Sequence, residues 1–222
     1  MRLLVWGGRS KARIILRMIE QIYGDKFIVT GIFDQTITEL PFQAETKLYS
    51  TNSDLNKLIS GSTHYIVCIG GEKGYARYMI SKKLEERGLR PVNVVSEHSL
   101  LDDLNYVGVG IQVMPGAIIH KFTNVGDYCI FNTNSTVDHE CNIGHGVHVM
   151  GSASIAGRVN IGDFSIIGTN ATVLPRITIG KNVYVGAGAV VIEDIEDGLV
   201  VAGVPSRRLR KFEPICDLSA FD

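Results

Sequence analysis

The chain has 222 residues, enough for one large domain or two modest ones. Hydrophobic residues make up 45% and charged residues 20%, ordinary globular chemistry that excludes a disordered chain. A formal net charge of −1 gives no electrostatic reason for a nucleic-acid partner, and no apolar run approaches the ~20 residues of a membrane span.

The start, Met1-Arg2-Leu3-Leu4-Val5-Trp6-Gly7, is briefly apolar but lacks a signal-peptide layout. Over residues 1–95 strands and helices alternate. Strands are expected at Leu3–Trp6, Phe27–Phe33, Tyr65–Ile69 and Val92–Val95, and helices at Ser10–Tyr23, Asp54–Ile59 and Lys73–Arg87. This pattern predicts a small, Rossmann-like parallel sheet with helices on its faces. Ligands of such sheets bind at the carboxyl ends of the strands. The loops there are Gly7-Gly8-Arg9-Ser10-Lys11, Phe33-Asp34-Gln35 and Gly70-Gly71-Glu72-Lys73-Gly74. The first opens a helix directly after a strand, where free N–H groups favour phosphate, although it is not GxGxxG. Lys11 can supply charge to a pyrophosphate. Asp34 is a base or ribose contact, or a plain turn or capping residue. Gly70 and Gly71 line the same crevice, or serve only to reverse the chain.

From Val107 the period changes to six. Val107, Val113, Ile119, Val125, Phe131, Val137, Ile143, Val149, Ile155, Ile161, Ile167, Val173, Ile179, Val185 and Val191 recur without a miss. Four residues after each anchor comes a mostly small side chain, among them Ala117, Cys129, Ser135, Cys141, Ala153 and Ala189. One residue after it glycine is frequent, at Gly108, Gly126, Gly144, Gly162, Gly168, Gly180 and Gly186. A six-residue unit with two inward positions makes one short strand and a bend. Three units close a triangular coil of 18 residues, with glycine where backbones approach closely. The expected division is 1–95 for the α/β domain, 100–205 for the β-helix and 206–222 for a tail. The period does not reveal the hand of the helix.

Cys68, Cys129, Cys141 and Cys216 show no CxxC or metal spacing. Three lie in apolar or small-residue positions, so reduced structural thiols in a cytoplasmic protein are expected.

The stretch Asn132 to His148 holds three of the six histidines within ten residues. His139 stands between Asp138 and Glu140. A carboxylate can bond one imidazole nitrogen and leave the other as a base near neutral pH. A solvated outward histidine beside acidic neighbours is the plainer alternative. Residue 139 + 18 is Gly157, one coil above. Its bare N–H is either a donor to a reacting carbonyl oxygen or that of a glycine tolerated at a bend.

Asp138-His139-Glu140-Cys141-Asn142-Ile143-Gly144, His148 nine residues on, and Gly203-Val204-Pro205-Ser206-Arg207-Arg208 resemble the hexapeptide-repeat sugar acyltransferases. That group comprises sialic-acid O-acetyltransferase-like enzymes, including N-acetyltransferases of nucleotide-linked amino sugars. The resemblance covers the whole chain. It implies a left-handed β-helix, a homotrimer with sites between subunits, and acetyl-CoA as co-substrate without a metal. It implies His139 as general base, Glu140 as its orienting partner with Asp138 able to share that role, and His148 near the acetyl-CoA. The pantetheine arm would meet the backbone of Gly168 and Ala187, with Gly157 at the thioester oxygen of the acetyl-CoA, and Arg207 and Arg208 would meet the CoA phosphates. The nucleotide sugar would contact Gly8, Ser10, Lys11, Asp34, Gly70, Gly71 and Asn132. Where the family's loop has further glycines and a histidine, this chain has Ser10 and Lys11, which leaves the nucleotide base open. N-acetylation of a nucleotide-linked 4-amino-deoxy sugar for surface-glycan synthesis is the expected reaction. Sugar O-acetylation is the first alternative, a metal hydratase a second, and a non-enzymatic binding β-helix a third.

Overall fold

A computed structural model describes residues 1–221. The first part is a five-stranded parallel sheet in the order β3-β2-β1-β4-β5, with β1 Arg2–Trp6, β2 Ile28–Phe33, β3 Leu48–Tyr49, β4 His64–Val67 and β5 Arg90–Pro91. Helices α1 (Ser10–Tyr23), α2 (Asn52–Ser60) and α3 (Gly74–Glu86) cover it. Leu3, Leu4 and Val5 in the central strand are fully buried, because helices on both faces leave neither side wet. Two expectations change. The last strand is Arg90–Pro91, paired with β4, whereas Val94–Val95 pairs with Gln112–Val113 and belongs to the β-helix. The two-residue β3 carries too little pattern to read from sequence.

The second part is a left-handed parallel β-helix. Its strands from Val94–Val95 to Val190–Val191 are two residues long and pair with one another 18 positions apart, as Ile118 with Thr136 and Asn124 with Asn142. Three sheets result. The first face runs from Val94–Val95 to Leu199–Ala202 and ends on the antiparallel strand Arg207–Lys211. The second runs from Leu100–Leu101 to Val190–Val191, and the third from Tyr106–Val107 to Thr178–Ile179. Fourteen of the fifteen anchors are buried; Val107, at the open end, is 37% exposed. The small residues four positions on are buried too, Cys129, Cys141 and Ala153 at 0%. The glycines after the anchors are there for space: a β-carbon on Gly162 would lie 2.6 Å from the Gly180 carbonyl carbon one coil on.

Another position escapes the sequence reading. The third residue after each anchor from Val107 to Val185 closes the corner in the left-handed region. Glycine fills four of these fourteen places, and Phe122, Tyr128, Asn134, Glu140, Ser152, Arg158, Phe164, Asn170, Arg176 and Asn182 fill the rest.

The two parts are locked across a seam. Arg77 on α3 is 1% exposed and donates Nε to the Tyr128 carbonyl at 2.8 Å, Nη1 to Ile69 at 3.0 Å and Nη2 to Gly146 at 2.8 Å. Gln112 of the β-helix donates to the Val67 carbonyl at the end of β4 at 2.8 Å. Three carbonyls on separate segments fit the planar fork of a guanidinium and fix the crevice of the α/β part against the first face of the prism.

Candidate active site

His139 lies on the corner between the second and third faces, between strands Thr136–Val137 and Asn142–Ile143. Its Nδ1 is 2.8 Å from Glu140 Oε2. An ionised carboxylate only accepts, so Nδ1 carries the proton and Nε2 is left with a free lone pair. Glu140 stays ionised because Arg158, one coil above, donates Nε to the same Oε2 at 3.0 Å; the Arg158 and His139 bonds hold its carboxyl below the usual carboxylate range. Asp138 does not share this role. Its Oδ1 accepts the His139 backbone N–H at 2.8 Å and lies 3.8 Å from His120, so it holds the corner rather than the ring.

Gly157 sits against the imidazole. A β-carbon there would lie 2.6 Å from Nε2, so any side chain at this position would displace the ring. Its N–H has no hydrogen-bond partner among the described residues, whereas the next N–H along, that of Arg158, is spent on the His139 carbonyl. A base and an unused donor therefore stand side by side on one corner.

His148 lies elsewhere. It is on the first face, 3% exposed, and its Nδ1 is 3.0 Å from the Gly71 carbonyl. A carbonyl accepts, so Nδ1 donates and Nε2 is a bare acceptor, buried without a partner. Burial, with Arg77 and then Lys11 nearby, lowers its pKa to about 3, and the ring is neutral. In a triangular prism the first face is opposite the corner that carries His139. Within one chain His148 thus stands apart from His139 and Gly157 and beside Gly70, Gly71 and Lys11. His145 occupies a third place, the corner between the third and first faces, near Asp127 at 3.4 Å.

A crevice of about 460 Å³ opens at the carboxyl ends of β1, β2 and β4, lined by Trp6, Gly7, Arg9, Lys11, Phe33, Asp34, Gln35, Thr36, Gly70 and Lys73, among others. Lys11 is largely buried and has no carboxylate partner among the described residues; burial lowers its pKa to about 8. Its ammonium donates to the Met114 sulfur at 3.9 Å.

The other residues expected at the site take different places. Asp34 spends both carboxylate oxygens on the fold, accepting from the Gly8 N–H at 2.8 Å and from Thr36. It is a turn residue that shapes the crevice. Ser10, on another side of α1, lines a separate groove with Arg13 and Phe42. Asn132 is at a β-helix corner and accepts from the Thr133 N–H at 3.0 Å. The Gly168 N–H and carbonyl are both used within the prism, by Val185 and Ala171. Ala187 is exposed, and its N–H is unpartnered among the described residues. Arg207 and Arg208 are exposed on the last strand.

Sequence reasoning missed Arg158, which stacks 18 residues above Glu140 and was legible from that ruler. It also missed Arg77, Trp6 and Lys73. Burial pushes the thiols of Cys68 and Cys129 up to about 12, which leaves them unsuited to nucleophilic work.

The family of bacterial transferase hexapeptide repeats (six repeats) matches residues 158–193. No curated protein matches the chain in sequence. Among solved structures, the PerB protein of Caulobacter crescentus, in complex with CoA and GDP-perosamine, is 26% identical with a TM-score of 0.79, over 95% of this chain and 98% of that one. The acetyltransferase domain of PglB from Neisseria gonorrhoeae, in complex with acetyl coenzyme A, is 26% identical with a TM-score of 0.80, over 94% and 98%. WeeI from Acinetobacter baumannii is 24% identical with a TM-score of 0.82, over 94% and 100%, a likeness of fold. In its repeat and its fold, the chain is similar to the hexapeptide-repeat acyltransferases.

Proposed function

We propose that the protein is an acetyl-CoA-dependent N-acetyltransferase acting on the amino group of a nucleotide-linked amino sugar. The observation that carries this is the pairing of the free His139 Nε2 with the unused Gly157 N–H on one corner. The acceptor's neutral amine attacks the thioester carbonyl, and His139 Nε2 takes the proton from the attacking nitrogen. The Gly157 N–H donates to the carbonyl oxygen as it gains charge. Collapse expels the CoA thiolate, which the imidazolium reprotonates, and Glu140 steadies the cation between the two steps. No covalent enzyme intermediate is required.

The crevice supports a phosphorylated acceptor. A largely buried ammonium without an anionic partner is costly, and a diphosphate would neutralise it. The solved relatives support the same reading, since PerB binds CoA and GDP-perosamine. Opposite placement of His139 and of the His148 crevice supports a homotrimer, in which one chain's crevice meets a neighbour's corner. A cytoplasmic site of action fits four free cysteines.

The test is thiol release from acetyl-CoA with a panel of nucleotide sugars bearing amines or only hydroxyls. Turnover is expected with an amino sugar alone, and His139→Ala should slow it by ~10²–10⁴ at neutral pH. Turnover confined to hydroxyl acceptors, or a His139→Ala variant with near-normal rates, would overturn the assignment.

A further inference from the structure

The last ten described residues leave the β-helix and return to the crevice. Phe212, just past strand Arg207–Lys211, packs on Tyr184. From there the chain has no regular secondary structure, and the exposure of its side chains alternates. Pro214, Cys216 and Leu218 are half-buried, while Glu213, Ile215 and Asp217 are exposed. Ile215 and Asp217 share the outward side and line the crevice.

The far end is firmly tied. Phe221 stacks on Trp6 at 5.0 Å with the rings 14° apart, and Ala220 is buried in the same cluster. Asn52 donates its side-chain amide to the Ser219 carbonyl at 3.0 Å. Trp6 is the last residue of β1, the central strand, at the edge where ligands of such sheets sit. A tail that only needed a resting place would not have to pack there. Ile215, moreover, is 72% exposed although the tail around it is docked, an apolar side chain facing open crevice.

We infer that residues 212–221 are a wall of the acceptor site: Ile215 lies against an apolar part of the bound nucleotide sugar and Asp217 accepts from its N–H or O–H donors. Asp217 Oδ1 is engaged by the Ser219 N–H at 2.9 Å, which leaves Oδ2 for the ligand. A carboxylate would repel the diphosphate. The wall therefore meets the base or sugar, while Arg9, Lys11 and Lys73 on the other walls meet the phosphates. Trp6, pinned by Phe221, keeps the crevice floor and the wall in register.

This inference rests on the crevice holding a nucleotide, and the experiment separates the two. Dissociation constants for GDP, UDP and dTDP are measured by calorimetry on the full chain, on Ile215→Ala, Asp217→Ala and Phe221→Ala, and on a chain ending at Lys211. The first two replace exposed side chains and leave the fold intact. At least one nucleotide should bind the full chain, and each of these two variants should weaken it by about tenfold. Phe221→Ala and the shortened chain should weaken it further. Unchanged affinity in Ile215→Ala and Asp217→Ala would overturn the tail's role alone. A full chain that binds none of the three would overturn the crevice reading, and the wall with it.

Discussion

The imidazole of His139 and the bare α-carbon of Gly157 face each other across one coil, so closely that a β-carbon on residue 157 would lie 2.6 Å from Nε2. The backbone of Gly157 is not in the left-handed region, so glycine is required here for space rather than for conformation. Gly157→Ala should therefore fold with little loss of stability and push the imidazole aside. A displacement of that kind costs about 10²-fold in rate when the base must meet its target within an ångström. Steady-state kinetics beside a thermal midpoint would check both halves; normal turnover in the alanine variant would contradict the geometry.

Lys11 links binding to pH. Its folded pKa of about 8 lies below the ordinary 10.5 of a lysine, chiefly through burial. Between these values the unfolded chain holds the proton that the folded one lacks, so stability of the unliganded protein should rise with pH in that window. At neutral pH the buried charge costs on the order of 3 kcal/mol. Lys11→Met should raise the urea midpoint at pH 7 and remove the rise above pH 8. The same change should weaken nucleotide diphosphate binding by tenfold or more. In the parent protein that binding should fade as pH climbs past 8.

His148 gives the opposite limb. Its folded pKa of about 3 lies below the ordinary 6.5 because the ring is buried. Stability from a neutral His148 is complete above pH 6.5 and declines as pH falls toward 3, since only the unfolded chain then takes up the proton. Urea midpoints between pH 7 and 4 should fall in the parent chain and fall less in His148→Asn. Equal slopes would show that the ring is not buried neutral.

Much of this architecture was legible in the sequence because the repeat repeats its physics. Each anchor from Val113 to Val191 meets the same interior, so one rule read once holds for the whole prism. The ruler of 18 residues put Gly157 above His139 and would have put Arg158 above Glu140. The left-handed corners were hidden because Phe122, Glu140 and Arg176 occupy them, and such residues do not announce a positive φ. Contacts between the two parts were hidden for another reason. Nothing local in Ser10 or Asp34 says which side of a loop it will face, and His148 reads like its neighbours until the seam closes over it. The tail's return to Trp6 rests on a few contacts between residues more than 160 positions apart, beyond the reach of any periodicity.

The placement of His139 and His148 on opposite sides of the prism has an arithmetic consequence. If each reaction centre draws its base from one chain and its crevice from the next, damage to either residue is carried by only one of two contributors. Chains with His139→Ala and chains with Lys11→Met, each impaired alone, should regain turnover when refolded together. In a randomly mixed ring some junctions join an intact corner to an intact crevice. One quarter of the junctions in an equal mixture would be whole on that count. Activity that rises from near zero toward a quarter of the parent's on mixing, and not on simple addition of preformed assemblies, is the signature of an active site that no single chain owns.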